Sequence, residues 1–273
     1  VNILVRDGVF TLGSPGKPVT FQGVGTTNVL TTDGGLGAAA TPLLDSTGSR
    51  FMDKRGPGEV VLSNIQYKKV DGTTDATAAF AWRLFEGTLT QTAAGQLRNG
   101  VGSFDFDDWF NNGTTTAKTL NITAEELFST TLAGQFQNNT ELRVAGGVTF
   151  TTTQTAEELS PVANDAVLRK TGTGTWVYTG PADVNDDGND GYLQIEQGIV
   201  DATGNMGDTR IRLAGGTYLS GASSSFAGDT GSSSNNENLF EITSVGGKLG
   251  IAAAVTTGDV HRGSTIAWDQ GTT

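Results

Sequence analysis

The chain has 273 residues, 39 of them glycine, with no cysteine, one histidine and a formal net charge of −12. That charge repels a phosphate backbone and argues against nucleic-acid binding. The missing cysteines exclude disulfide frameworks and cysteine nucleophiles, and His261 alone gives no triad or histidine-based zinc spacing.

Val1–Leu12 alternates apolar and polar residues around an Asp7-Gly8 turn, so it is expected to form a strand. Lying at one extremity, Val1, Ile3, Val5 and Val9 could add to their own sheet or form a contact strand with a neighbouring subunit. Gly13–Gly58 is rich in proline and glycine and reads as a long loop, an arm or cap. Glu59–Val70 and Ala76–Thr90 read as strands flanking Asp71-Gly72. Thr123–Leu132 carries a capping-box pattern, Thr123 followed by Glu126, that predicts a short helix, and a second such signal at Thr155–Leu159 is ended by Pro161.

The most regular stretch is Val167–Ala222. Short β-patterned runs at Val167–Arg169, Thr175–Tyr178, Tyr192–Ile195, Ile211–Leu213 and Thr217–Leu219 are separated by glycine turns, a period-two rhythm that no helix tolerates. Leu142–Phe150 and Ile211–Leu219 share an apolar-Arg-apolar-Ala-Gly-Gly core, and Leu84–Gln91 pairs loosely with Ile195–Ala202. One strand-turn-strand unit cannot bury its inner face without a neighbour above and below, so self-similar units predict stacked coils. The expected fold is therefore all-β and β-solenoid-like, with a β-sandwich or jelly roll, or two β domains, as the alternative. Three segments are expected: residues 1–58 as strand plus arm, 59–160 as a β-rich region with one or two short helices, and 161–273 as the solenoid-like region. Gly221–Asn238 is a Ser/Gly/Asn-rich loop, and a strand pattern returns at Leu239–Val255 and Thr265–Trp268.

Leu168, Lys170, Gly172, Gly174, Thr175, Trp176 and Gly180, followed by Gly191, Leu193, Ile195 and Gly198, resemble the passenger-associated transport repeat of bacterial autotransporters. The resemblance covers one copy of about 32 residues. It implies a β-helical, surface-exposed segment of a large secreted or adhesin-like protein, with no catalytic residue in the repeat.

Two stretches carry possible chemistry. Asp183, Asn185, Asp187, Asn189 and Asp190 surround Gly188 with the spacing by which a tight loop turns oxygens onto Ca²⁺, although Gln194 stands where a bidentate carboxylate is expected; the competing reading is an acidic hairpin tip. Asp105, Asp107 and Asp108 alternate with Phe104, Phe106, Trp109 and Phe110, which suits either a carbohydrate cleft or one strand with aromatics inward. No apolar run approaches the roughly 20 residues of a membrane-spanning helix. These readings point to a non-enzymatic extracellular or cell-surface protein that associates with itself or with neighbouring surface proteins. The alternatives are a β-helical polysaccharide hydrolase or lyase and a carbohydrate-binding module.

Overall fold

The computed structural model describes residues 2–17, 19–24, 27–32, 51–68, 81–94, 97, 117–130, 136, 139–154, 166–179, 192–203, 210–220, 239–251 and 265–268. They form an all-β stack with no helix among them. Numbered in chain order, the strands fall into four sheets. The long sheet holds ten: β2 (Val9–Leu12), β6 (Glu59–Leu62), β9 (Gly87–Gln91), β10 (Lys118–Ile122), β12 (Thr140–Val144), β14 (Val167–Thr171), β16 (Tyr192–Ile195), β18 (Arg210–Leu213), β20 (Leu239–Ile242) and β22 (Thr265–Trp268), in that order. The second sheet holds β11 (Glu126–Thr130), β13 (Thr149–Gln154), β15 (Thr175–Thr179), β17 (Ile199–Ala202), β19 (Thr217–Ser220) and β21 (Lys248–Ile251). Two three-stranded sheets flank the first coils: β1 (Asn2–Leu4), β5 (Phe51–Arg55) and β8 (Ala81–Leu84), and a sheet ordered β4 (Thr27–Thr32), β3 (Val19–Val24), β7 (Ile65–Lys68).

Every strand pair is parallel except β3 with β4. Parallel neighbours joined by short corners are what a coiled chain produces, so the solenoid-like expectation holds and an antiparallel sandwich is ruled out for these residues. At about 4.8 Å per strand, the long sheet makes a stack roughly 43 Å tall. It draws strands from all three of the segments expected from sequence.

Alternation explains the core. Along β10, β16 and β18 every second residue is buried, and Leu89, Leu120, Leu142, Ile195 and Leu213 line up inside the long sheet. Phe150, Trp176, Val200 and Tyr218 form the facing column in the second sheet, with Phe136 edge-on to Trp176 at 5.6 Å. Trp176 keeps its polar edge satisfied by donating from Nε1 to Thr152 Oγ1 at 2.9 Å.

Two expectations are corrected. Thr123–Leu132 contains strand β11, not a helix. Thr123 sits at a coil corner, where its backbone N–H and its hydroxyl both donate to Gln91 O. Glu126 turns into the core and accepts from Gln91 Nε2 at 3.1 Å, so it does not cap a helix. A helix of ten residues is marginal alone, and here Glu126–Thr130 is held instead by a parallel ladder with β13. Likewise Gly13–Gly58 is not one long loop, since it contains β3, β4 and β5. Among the described residues, Gly13, Pro15 and Gly16 and then Gly56, Pro57 and Gly58 fall between strands. The helix signal at Thr155–Leu159 lies outside the described residues.

Candidate functional site

The most distinctive chemistry of the fold is a pair of buried lysines. Lys170 ends the inward face of β14 and is fully buried. Its Nζ donates to the carbonyls of Thr171 (2.9 Å), Gly172 (3.0 Å), Gly174 (3.1 Å) and, on the next coil, Gln197 (3.2 Å). Lys54 does the same from β5: it is fully buried, and its Nζ donates to the carbonyls of Arg55 (3.2 Å), Gly56 (2.5 Å) and, one coil on, Glu86 (2.8 Å).

The sequence explains the cages. Each lysine opens a Lys-x-Gly-x-Gly corner, Lys54–Gly58 and Lys170–Gly174, and each corner is roofed by a glycine on the following coil, Gly87 or Gly198. Both roofs have positive φ, 73° and 70°. A Cβ on Gly87 would lie 2.5 Å from the carbonyl oxygens of Gly56 and Gly58. On Gly198 it would lie 2.5 and 2.3 Å from those of Gly172 and Gly174. Only glycine lets the two backbones approach closely enough for one ammonium to reach both.

Removing a cation from water is costly unless its protons find acceptors, and carbonyl dipoles converging on Nζ supply them. Burial pushes Lys170 down to about 8. It pushes Lys54 down to about 8 as well, against the opposing pull of the Glu86 carboxylate. Lys118, buried at the start of β10, is also lowered by burial.

A second feature is the outer face of the long sheet, where polar side chains pair along the stack. Thr90 Oγ1 donates to Glu59 Oε1, and Asn121 Nδ2 to Thr90 Oγ1 at 3.2 Å. Glu141 Oε1 accepts from Thr171 Oγ1 at 2.6 Å and from Arg143 at 2.9 Å. Arg169 grips Glu196 through two bonds of 2.7 and 2.8 Å, which raise the arginine and lower the carboxyl against the opposing effect of burial. Arg212 bonds Glu241 at 2.7 Å and lies over the Tyr192 ring at 4.4 Å. These groups satisfy one another across neighbouring strands, as in a knitted surface rather than a cleft.

Ile3 and Val5 lie at the first coil, Val5 in the core and Ile3 packed against it, while Val9 is exposed. Val1 lies outside the described residues, as do Asp183, Asn185, Asp187, Asn189, Asp190, Asp105, Asp107, Asp108 and His261. Among the described residues no group of three acidic, histidine or cysteine side chains stands close enough to hold a metal ion. Sequence reasoning missed the buried lysines and the corner at Lys54. The signal was present: Lys-x-Gly-x-Gly occurs at both places, each followed by a strand and a roofing glycine.

Comparison with protein-family models, with curated proteins and with solved structures gave no match.

Proposed function

We propose that this chain is a non-enzymatic structural or adhesive segment of an extracellular bacterial surface assembly, of the kind that autotransporter passengers represent. The observation that carries the reading is the caged-lysine corner, built twice from the same short motif. Each copy devotes a buried charge, three glycines and several carbonyls to stacking one coil on the next. The self-paired outer ladder agrees with that use, because its charges serve neighbouring strands.

Calcium belongs to the same reading. The carboxylates among Asp183–Asp190 repel one another, and a divalent ion would remove that repulsion and tie the loop down. Chelation is therefore expected to lower the Tm of the calcium-loaded protein, and an unchanged Tm would remove calcium from the proposal.

The scaffold reading is tested by incubating the purified chain with a panel of acidic and neutral polysaccharides while its shape is measured by small-angle scattering. An elongated particle and no change in polysaccharide length are expected. Cleavage that disappears when Asp105, Asp107 and Asp108 are changed to alanine would replace the reading with a hydrolase or lyase.

A further inference from the structure

The carbonyls around each caged ammonium are held by bonds in which Nζ has no part. At the Lys170 corner Gly174 N donates to Val144 O (3.0 Å), Ile199 N to Gly174 O (3.2 Å) and Glu196 N to Lys170 O (3.0 Å). Gly172 N donates to Gln197 Oε1 at 3.2 Å and so ties the turn to the next coil. Gly172 has φ 69°, and a Cβ there would collide with Val144 O, so its contact with the preceding coil fixes the turn as well. The Lys54 corner is tied in the same way, by Gly58 N to Val5 O (2.9 Å), Phe85 N to Lys54 O (3.0 Å) and Gly56 N to Glu86 Oε2 (3.1 Å). The backbone builds the cage, and the lysine fills it.

Converging carbonyl oxygens are the chemistry that replaces the hydration shell of a small cation. Here four of them, on Thr171, Gly172, Gly174 and Gln197, meet at one point, 2.9 to 3.2 Å from its centre. The approach to that point is apolar, because in the inward column Lys170 stands between Leu142 and Ile195, both fully buried. Stem and ammonium together occupy a slot for a short hydrocarbon chain that ends in a cage for a cation.

We propose that each corner is a preformed receptor for a primary ammonium, with the lysine as its tethered occupant, and that it takes a free n-alkylammonium of matching length when the tether is shortened. This goes beyond the scaffold reading and does not depend on it. Selection follows from the donors. A primary ammonium brings a charge and three N–H groups to the carbonyls, whereas water brings two donors and no charge, and tetramethylammonium brings a charge and no donor. A potassium ion suits the carbonyls but leaves the apolar slot unfilled, so the alkylammonium is the better occupant.

The test is chemical rescue. Lys170→Ala removes Cγ to Nζ, the atoms of n-propylammonium, and a ligand that binds only the folded chain raises its melting temperature. A saturating rise in the Tm of Lys170→Ala is expected as n-propylammonium is added, with a smaller rise for methylammonium and none for n-propanol or tetramethylammonium at the same ionic strength. Wild type, whose cage is full, is expected to show no such rise. Nuclear Overhauser contacts from the bound propyl protons to the Leu142 and Ile195 methyl groups are expected to place the amine in the slot. An equal rise in wild type, an equal rise with n-propanol or tetramethylammonium, or contacts elsewhere on the chain would overturn the proposal. Where Lys170→Ala does not fold alone, refolding in the presence of n-propylammonium is the readout, and failure to refold there would overturn it too. Lys54→Ala is expected to respond to the same amine, and its silence beside a rescued Lys170→Ala would overturn the receptor at the first corner.

Discussion

The two caged corners are nearly the same object placed on different faces. Lys54 leads from the β1-β5-β8 sheet into the long sheet, whereas Lys170 leads from the long sheet into the second sheet. Three backbone bonds correspond, while Lys170 reaches one carbonyl more than Lys54, that of Gly174. Gly58 N donates to Val5 O and Gly174 N to Val144 O; Thr88 N donates to Gly58 O and Ile199 N to Gly174 O; Phe85 N donates to Lys54 O and Glu196 N to Lys170 O. The dressing differs. The corner amide of Gly56 is capped by the Glu86 carboxylate, and that of Gly172 by the Gln197 amide oxygen. Beside the first cage Arg55 lies over the Phe85 ring at 3.8 Å, where the second has the Arg169–Glu196 ion pair. The corner is therefore a local device, set by its own few residues and one roofing glycine, and indifferent to which pair of faces it joins.

The roofing glycines offer the most severe way to break this equivalence. Gly198→Ala and Gly87→Ala must each place a Cβ within 2.5 Å of carbonyl oxygens at positive φ, and a loss of about 3–5 kcal/mol is expected for either in chemical denaturation. A cost confined to one of them would show that the corners are not interchangeable. Lys170→Met keeps bulk but leaves four carbonyls short of a donor, with an expected cost of about 3 kcal/mol by the same measurement. Lys54→Met, with three carbonyls at stake, should cost less.

Titration sharpens the same comparison. The folded values of about 8 lie below the ordinary lysine value of 10.5, so the unfolded chain binds more protons between those limits and stability rises with pH across that window. The Tm of wild type relative to a Lys54→Met, Lys170→Met double variant is expected to climb from pH 8 to pH 10, and a flat difference would contradict the lowered values. Changing Gln197 to Glu gives the second cage the carboxylate of the first, and the Lys170 titration followed by NMR should move upward. The smallest effect belongs to Arg169→Ala, under about 1 kcal/mol because the pair it breaks is partly exposed.

Much of the architecture was legible because it is periodic. The runs at Thr175–Tyr178, Tyr192–Ile195 and Thr265–Trp268 are strands, and glycine marked their corners. Strand β10 was harder to see, because its inward row of Lys118, Leu120 and Ile122 opens on a charge. The cages were hidden for the same reason, as a lysine usually signals a solvated face. Only the next coil, whose carbonyl and roofing glycine complete the cage, reveals that this lysine points inward. Glu126 misled through its local spacing, since the capping-box pattern carries no information about the neighbouring strand that claims the segment.

An ammonium enclosed by carbonyls is also withheld from chemistry. Trypsin must draw a lysine side chain into its own pocket, and acylating reagents need a free amine; Lys54 and Lys170 offer neither while their corners are closed. Lys17 and Lys248, which stand exposed, can react with the stack intact. Lys17 precedes Pro18 and reports by acylation alone, so the order in which Lys248, Lys54 and Lys170 become cleavable would serve as a clock for the opening of individual coils, read from the protein without any added label.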